Sequence, residues 1–241
     1  MKLPCVDRGP RVPDAAIIRG WTGCHGKALT GKDWSDPAYG TMWTANLARA
    51  VPCYSSSGLD KTIRSGVRPD CAAMWDMPLH LFTQETAEDM AVIIGFLRTV
   101  SPAGVVHPPP VFSVGARAEM AAGIYLSSPA EVAKPGGQWP PPAGDRHALG
   151  RYIVRATCAE CHGIDSRGGK PPPGRPRNPD LRIVAGYDAA EFAHLMRTGI
   201  AVGDREVGLM TEVARGRFRH LQDDEIAAVH GYLQAVAAAV P

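Results

Sequence analysis

Cys158-Ala159-Glu160-Cys161-His162 is the stretch on which the reading of this chain turns. Two thiols three residues apart, followed at once by an imidazole, form the C-x-x-C-H run that attaches c-type haem. The spacing has a chemical reason. Thiols at that separation reach the two vinyl groups along one haem edge and form thioethers, and the adjacent ring then meets the iron from one face. Cys158 and Cys161 are the expected thioether donors and His162 the expected axial ligand. A thioredoxin-like dithiol would instead follow a strand of a βαβ unit, and no β-rich run precedes Cys158. A structural zinc site would need a second Cys or His pair, whereas His194 and His220 stand singly.

Such a haem needs a sixth ligand, and a thioether is the electron-transfer choice because it raises the potential and blocks substrate. Two methionines lie downstream. Met196 sits in the helically spaced Glu191-Phe192-Ala193-His194-Leu195-Met196 and is expected to pack in the core. Met210 follows Gly208-Leu209 in a non-periodic stretch, where a loop could present its sulfur. Met210 is therefore the expected ligand. The cluster Pro171-Pro172-Pro173 with Pro176 and Pro179 reads as a stiff wall along the haem edge. A carbonyl of such a loop orients a ligating His through its ring N–H, and Pro173, with Pro37 in the first half, is the candidate.

Working outward, the same order of features occurs twice. Cys24-His25-Gly26 echoes Cys161-His162-Gly163, Arg64-Ser65-Gly66 echoes Arg197-Thr198-Gly199, and Met77 corresponds to Met210. Met90 to Leu97 echoes Ile226 to Leu233, each with a Gly-aromatic-Leu end. Thr86 caps the first terminal helix ahead of Glu88 and Asp89, and Gln222 opens the second, a weaker cap before an acidic turn. Gly95 and Gly231 fall inside these helices, where Gly costs about 1 kcal/mol against Ala. A close crossing by another helix is the expected reason for both.

The composition fits this reading. The 241 residues include 26 Gly, 22 Pro and only 5 Trp, 6 Tyr and 5 Phe, which implies short helices, long loops and cores filled partly by something other than side chains. There is no G-X-Y period. Net charge is +2, with no basic stripe of the kind a nucleic-acid binder shows. No apolar run approaches the ~18 residues of a membrane span. The start, Met1-Lys2-Leu3-Pro4-Cys5, lacks the apolar stretch of a signal peptide.

Taken over most of its length, the chain resembles the two-domain, dihaem class I-type cytochromes c that work as carriers or subunits beside bacterial periplasmic dehydrogenases. In the second half the resemblance rests on Cys158, Cys161, His162, Pro179-Asp180-Leu181, Arg197-Thr198-Gly199, Met210 and Phe218 to Leu233. In the first half it rests on Cys24, His25, Gly26, Asn46-Leu47, Arg64 to Asp70, Met77-Pro78 and Phe96-Leu97. It implies an all-α fold of two tandem helical domains, each around a haem c with His/Met ligation: His162 and Met210 in one, His25 and Met77 in the other. It also implies periplasmic haem attachment, with the leader removed, and electron transfer to redox partner proteins without substrate chemistry. The expected division is 1–100, a Pro-rich linker over 101–143 with a possible helix between Ala116 and Leu126, and 144–241.

The first half departs from the pattern at its motif. Trp21 stands three residues before Cys24, where a first thiol belongs, and the segment leading to it is about 7 residues short. Three outcomes are open: a single thioether through Cys24, a haem held by His25 and Met77 alone, or an empty site with Cys24 oxidised to Cys5. Cys53 and Cys71 bracket the second helix of the repeat and are expected to form a disulfide that staples a loop-rich domain. Arg215, Arg217, Arg219 and His220 could face a docking partner, but a solvated loop is the preferred reading of that charge run. Two alternatives to a dihaem carrier remain. One is a monohaem carrier whose first domain only binds a partner. The other is a dihaem peroxidase or sulfur-oxidising cytochrome with an open or differently ligated iron.

Overall fold

Short polar side chains set the helix starts in this chain. Thr86 Oγ1 accepts from Asp89 N at 3.0 Å, Ser113 Oγ from Ala116 N at 3.0 Å and Ser55 Oγ from Gly58 N at 3.0 Å, each satisfying a donor that the first helical turn leaves without a partner. Asp188 and Glu191 close a reciprocal capping box. The structure, a computed structural model, describes residues 16–134, 139–169 and 177–239. Cys5, Pro173 and Pro176 lie outside the described residues. The chain divides into two units, with the boundary between Lys134 and Pro135.

The first unit contains α1 (Trp21–His25), α2 (Leu47–Ala50), α3 (Ser56–Ser65), α4 (Ala87–Thr99), α5 (Val114–Ala121) and α6 (Ser128–Val132). A two-stranded ribbon joins β1 (Gly40–Thr41) to β2 (Val111–Phe112), antiparallel, with Gly40 opposite Phe112. Helix α4 buries Met90, Ile93, Ile94 and Leu97, the one-sided stripe of an amphipathic helix. That stripe joins Trp21, Leu29, Val51, Leu59, Ile63, Leu79 and Phe82 in one core, with Met74, Met77 and Val132 packed against it. Arg19 crosses to Glu85 through two bonds, Nε to Oε1 at 3.0 Å and Nη2 to Oε2 at 2.8 Å, and Nη2 also reaches Asp89 at 3.1 Å. Both partners are buried, and a forked guanidinium–carboxylate pair keeps two charges there tolerable.

The segment 101–134, read from sequence as linker, is bonded into this first unit. The Asn46 amide donates to the carbonyls of Ala103 and Val105, β2 completes the ribbon, and Ser128 N donates to Met74 O at 2.9 Å. Proline had suggested an extended spacer because it lacks a donor. Here the neighbouring residues supply the bonds instead. The helix expected between Ala116 and Leu126 forms, but over Val114–Ala121.

The second unit contains α7 (Ala148–Thr157), α8 (Ala159–His162), a 3₁₀ turn over Leu181–Gly186, α9 (Ala189–Thr198), the ribbon β3 (Ile200–Ala201) and β4 (Arg205–Glu206), α10 (Leu209–Gly216) and α11 (Asp223–Ala238). Helix α11 opens as expected at Gln222, and the Glu225 carboxylate accepts from Gln222 N at 2.9 Å, a firmer start than the sequence suggested. It buries Ile226, Val229, Tyr232, Leu233 and Val236. The Tyr232 hydroxyl donates to Pro141 O at 2.8 Å, which ties the segment before α7 to α11. Met196 is buried in α9, in the core role expected of it.

The close crossing falls elsewhere than predicted. A Cβ on Gly231 would meet only the His147 ring at 3.7 Å. A Cβ on Gly150 of α7 would collide with the carbonyl oxygen of Ala228 and come within 2.7 Å of Tyr232 Cβ. The bare backbone that lets α7 and α11 cross belongs to α7.

The expected bridge between Cys53 and Cys71 is not formed, and both are exposed free thiols. Each is fixed in its own turn. Cys53 ends a 3₁₀ turn with its thiol toward Arg49 O, and Cys71 closes the turn begun by Arg68 in a left-handed conformation, φ 63°.

Candidate functional site

Cys158 closes α7 and leads directly into α8, which ends on His162. His162 N donates to Cys158 O at 2.9 Å, so one short helical step carries both thiols and the imidazole. Gly163 follows at φ 75°, a backbone state that glycine adopts without strain. The chain then turns tightly, and Gly168 N returns to His162 O at 2.9 Å while Ser166 N donates to Gly163 O at 3.0 Å.

His162 Nδ1 donates to the carbonyl of Pro179 at 2.8 Å. That bond fixes the tautomer and ring plane, and leaves Nε2 as the lone-pair nitrogen available to a metal. Burial holds the imidazole below its usual range, with the Pro179 carbonyl opposing the shift. The orienting carbonyl therefore belongs to the Pro cluster, as expected, but to Pro179 and not Pro173. Asn178 Nδ2 donates to Cys161 O at 2.7 Å and holds the same loop against the motif.

Burial pushes the Cys158 thiol up, and it pushes the Cys161 thiol up to about 11, Glu160 adding to the shift and Arg217 opposing it. Neither is poised as a thiolate nucleophile. That disfavours dithiol redox chemistry at neutral pH. Among the described residues no group of three or more His, Cys, Asp or Glu is gathered as a zinc ion would require.

Met210 is half-buried and is the second residue of α10, where sequence had suggested a loop. Its neighbour Thr211 explains the correspondence between Arg197-Thr198-Gly199 and the methionine. Thr211 Oγ1 donates to Gly199 O at 2.7 Å and accepts from Val207 N at 2.8 Å, pinning the start of α10 to the left-handed cap of α9. No sequence motif marks Thr211; only its burial does. Thr211→Val is expected to leave both backbone groups without partners, destabilising this unit by about 1–3 kcal/mol, as a lowered urea midpoint would record.

The first unit builds the same cradle around His25. Helix α1 ends on His25, and Gly26 follows at φ 81°. Leu29 N donates to Gly26 O and Gly31 N to His25 O, both at 2.9 Å. His25 Nδ1 donates to Ala45 O at 2.9 Å, and Thr44 Oγ1 to Cys24 O at 2.9 Å, the parts played by Pro179 and Asn178 in the other unit. Pro37 has no such role, because the chain reaches the ring eight residues later, at Ala45. Burial lowers the His25 pKa, the Ala45 carbonyl opposing. Gly66 ends α3 at φ 72° as Gly199 ends α9 at φ 74°. Ser128 Oγ donates to Met77 O at 2.9 Å, so the clamp on the methionine segment comes from the stretch expected to be linker.

The units differ three residues before Cys24. Trp21 is buried, its ring stacked on His25 at a centroid distance of 6.0 Å and tilted against Phe82 at 5.9 Å. Among the described residues its Nε1 has no hydrogen-bond partner.

The basic run after Met210 is largely tied down. Arg215 pairs with Glu206 at 2.9 Å and donates to Thr198 O. Arg217 pairs with Glu160 at 3.0 Å, and the Arg219 carbonyl accepts from Arg197 Nη1.

Residues 147–237, which hold the paired thiols, the carbonyl-oriented imidazole and the clamped methionine segment, match the family model described as cytochrome c. The second unit carries a cytochrome c domain, and with it haem, iron and electron transport. The relative found along nearly the whole chain is the fructose dehydrogenase cytochrome subunit of Gluconobacter japonicus, 26% identical over 268 aligned residues. The match covers 98% of this chain and 53% of that protein, so the chain spans about half the length of the curated relative it matches. Among the described residues no helix is long and apolar enough to cross a membrane.

Proposed function

We propose that this protein is a dihaem electron carrier of the periplasm, passing electrons by outer-sphere transfer from a dehydrogenase-like donor to a respiratory acceptor. The observation that carries the reading is the Cys158–His162 step with His162 Nδ1 held by Pro179 O, repeated by His25 and Ala45 in the other unit. In the second unit Cys158 and Cys161 would hold haem c by thioethers, with His162 and Met210 as axial ligands. In the first, His25 and Met77 would ligate and Cys24 would supply the single thioether that Trp21 leaves possible.

Bound haem supplies one-electron Fe(II)/Fe(III) chemistry. The chain's own residues orient the imidazoles through Ala45 and Pro179 and fix the methionine segments through Ser128 and Thr211. A methionine bound to the iron would leave no position there for substrate, which favours a carrier over a peroxidase. Similarity to a dehydrogenase's cytochrome subunit supports the donor class, and covalent c-haem attachment supports the periplasmic location.

A second reading, one haem per chain with a haem-free first unit, is favoured by Trp21, whose indole lies within a continuous core. A pyridine haemochrome assay on the purified chain separates the two. Two haems per chain are expected, one would establish the second reading, and none would overturn both. A high-spin ferric spectrum with peroxide turnover would instead indicate an enzyme.

A further inference from the structure

We propose that Arg217 and Glu160 form an opposed charge pair beside Cys158 and Cys161 whose two members bias the reduction potential of the haem in the second unit in opposite directions. This inference rests on the assignment of haem c to Cys158 and Cys161.

Glu160 lies between the two cysteines, in the attachment loop itself. Arg217 comes from 57 residues away, immediately after α10, and its Nη1 donates to Glu160 Oε2 at 3.0 Å. The pair is sheltered: the Arg217 side chain is 12% exposed and that of Glu160 26%. The guanidinium also stands 5.7 Å from the centroid of the buried Phe218 ring. Neighbouring Arg215 is turned away to Glu206 and Thr198, so Arg217 is the arginine of this run that is tied to the attachment loop. Helix α10 thus places Met210 near its start and a cation just past its end.

Oxidation adds one positive charge to a haem, so a nearby cation disfavours the ferric state and a nearby anion favours it. Net charge and burial are recognised determinants of haem potential. In a sheltered site such charges act through a lower effective dielectric than water and are weakly screened by salt. Arg217 should raise the potential and Glu160 should lower it, the intact pair balancing the two. Arg217 is a positioning and tuning residue, since it acts on the haem through the attachment loop and through space.

The test is potentiometric titration of the full haem-loaded chain and of four variants, with haem stoichiometry measured for each. Arg217→Gln is expected to lower one midpoint potential and Glu160→Gln to raise the same one. The double variant should return it close to the parent value. The component that moves should be the one missing from Cys158→Ser/Cys161→Ser. A purely structural role predicts shifts of one sign in both single variants, and that result, or no shift with haem retained, would overturn the inference. If Cys158→Ser/Cys161→Ser instead keeps its full covalent haem, the haem assignment fails and the charge pair falls with it.

Discussion

Replacing Gly150 by alanine is expected to destabilise the second unit by about 1–3 kcal/mol or more, the range for forced overpacking. In an exposed helix interior the same change would be favourable by roughly 0.5–1 kcal/mol. The sign reverses here because the new methyl would collide with the Ala228 carbonyl and press on Tyr232 Cβ at 2.7 Å. Those atoms are backbone and the root of a fully buried ring, so neither can step aside as a flexible side chain would. Helices α7 and α11 would have to separate, which would also strain the Tyr232 bond to Pro141. Gly231→Ala is the matched control. It meets only the His147 ring at 3.7 Å and should be neutral or slightly stabilising. Urea midpoints for the two variants check the pair, and equal effects would show that the crossing is not what constrains Gly150.

Removing both thiols of the motif, Cys158→Ser with Cys161→Ser, is expected to have the other large effect. Covalent haem should fall by one equivalent per chain. The second unit should also lose much of its stability, because a small domain with few aromatic residues relies on its cofactor for apolar bulk. Ligand that binds only the folded state stabilises by mass action, and covalent attachment makes that contribution permanent. His162→Ala should leave attachment possible through the thiols but remove the imidazole that Pro179 orients, giving a high-spin spectrum. Haem-peptide mass spectrometry and the visible spectrum read these two outcomes separately. A low-spin spectrum in His162→Ala would require another axial ligand.

Much of this protein was legible before its structure. The two terminal helices start at Thr86 and Gln222 as their caps and acidic turns indicate, and Met196 is core as its helical spacing predicts. The left-handed residues Gly66 and Gly199 end equivalent helices because the repeat places glycine there. Such features are local. A cap, a period or a turn depends on residues within a few positions of one another, so the linear order of side chains carries the information.

What failed did so over longer range. Asn46, Ser128 and β2 draw residues 101–134 into the first unit through bonds that proline content could not forecast. Thr211 and Ser128 clamp the two methionine segments without lying in any motif. The glycine that permits the α7–α11 crossing is Gly150, although Gly231 looked the better candidate, because which helix presents its bare backbone depends on how the two pack. Arg19 and Glu85, 66 residues apart, gave no sequence signal of their pairing.

The sequence by itself carries the proposal of haem attachment at Cys158, Cys161 and His162, since thioether formation and iron ligation require those groups at that spacing. It also determined that a Cys-His, helix and Met order occurs twice in a chain of many breakers and few aromatic rings. Only the tertiary structure decided which carbonyls hold the two imidazoles, where the first unit ends, and that Arg217 leaves its basic run to meet Glu160. Each of those depends on groups brought together by loop closure and packing, and their separation along the chain conceals them from any local pattern.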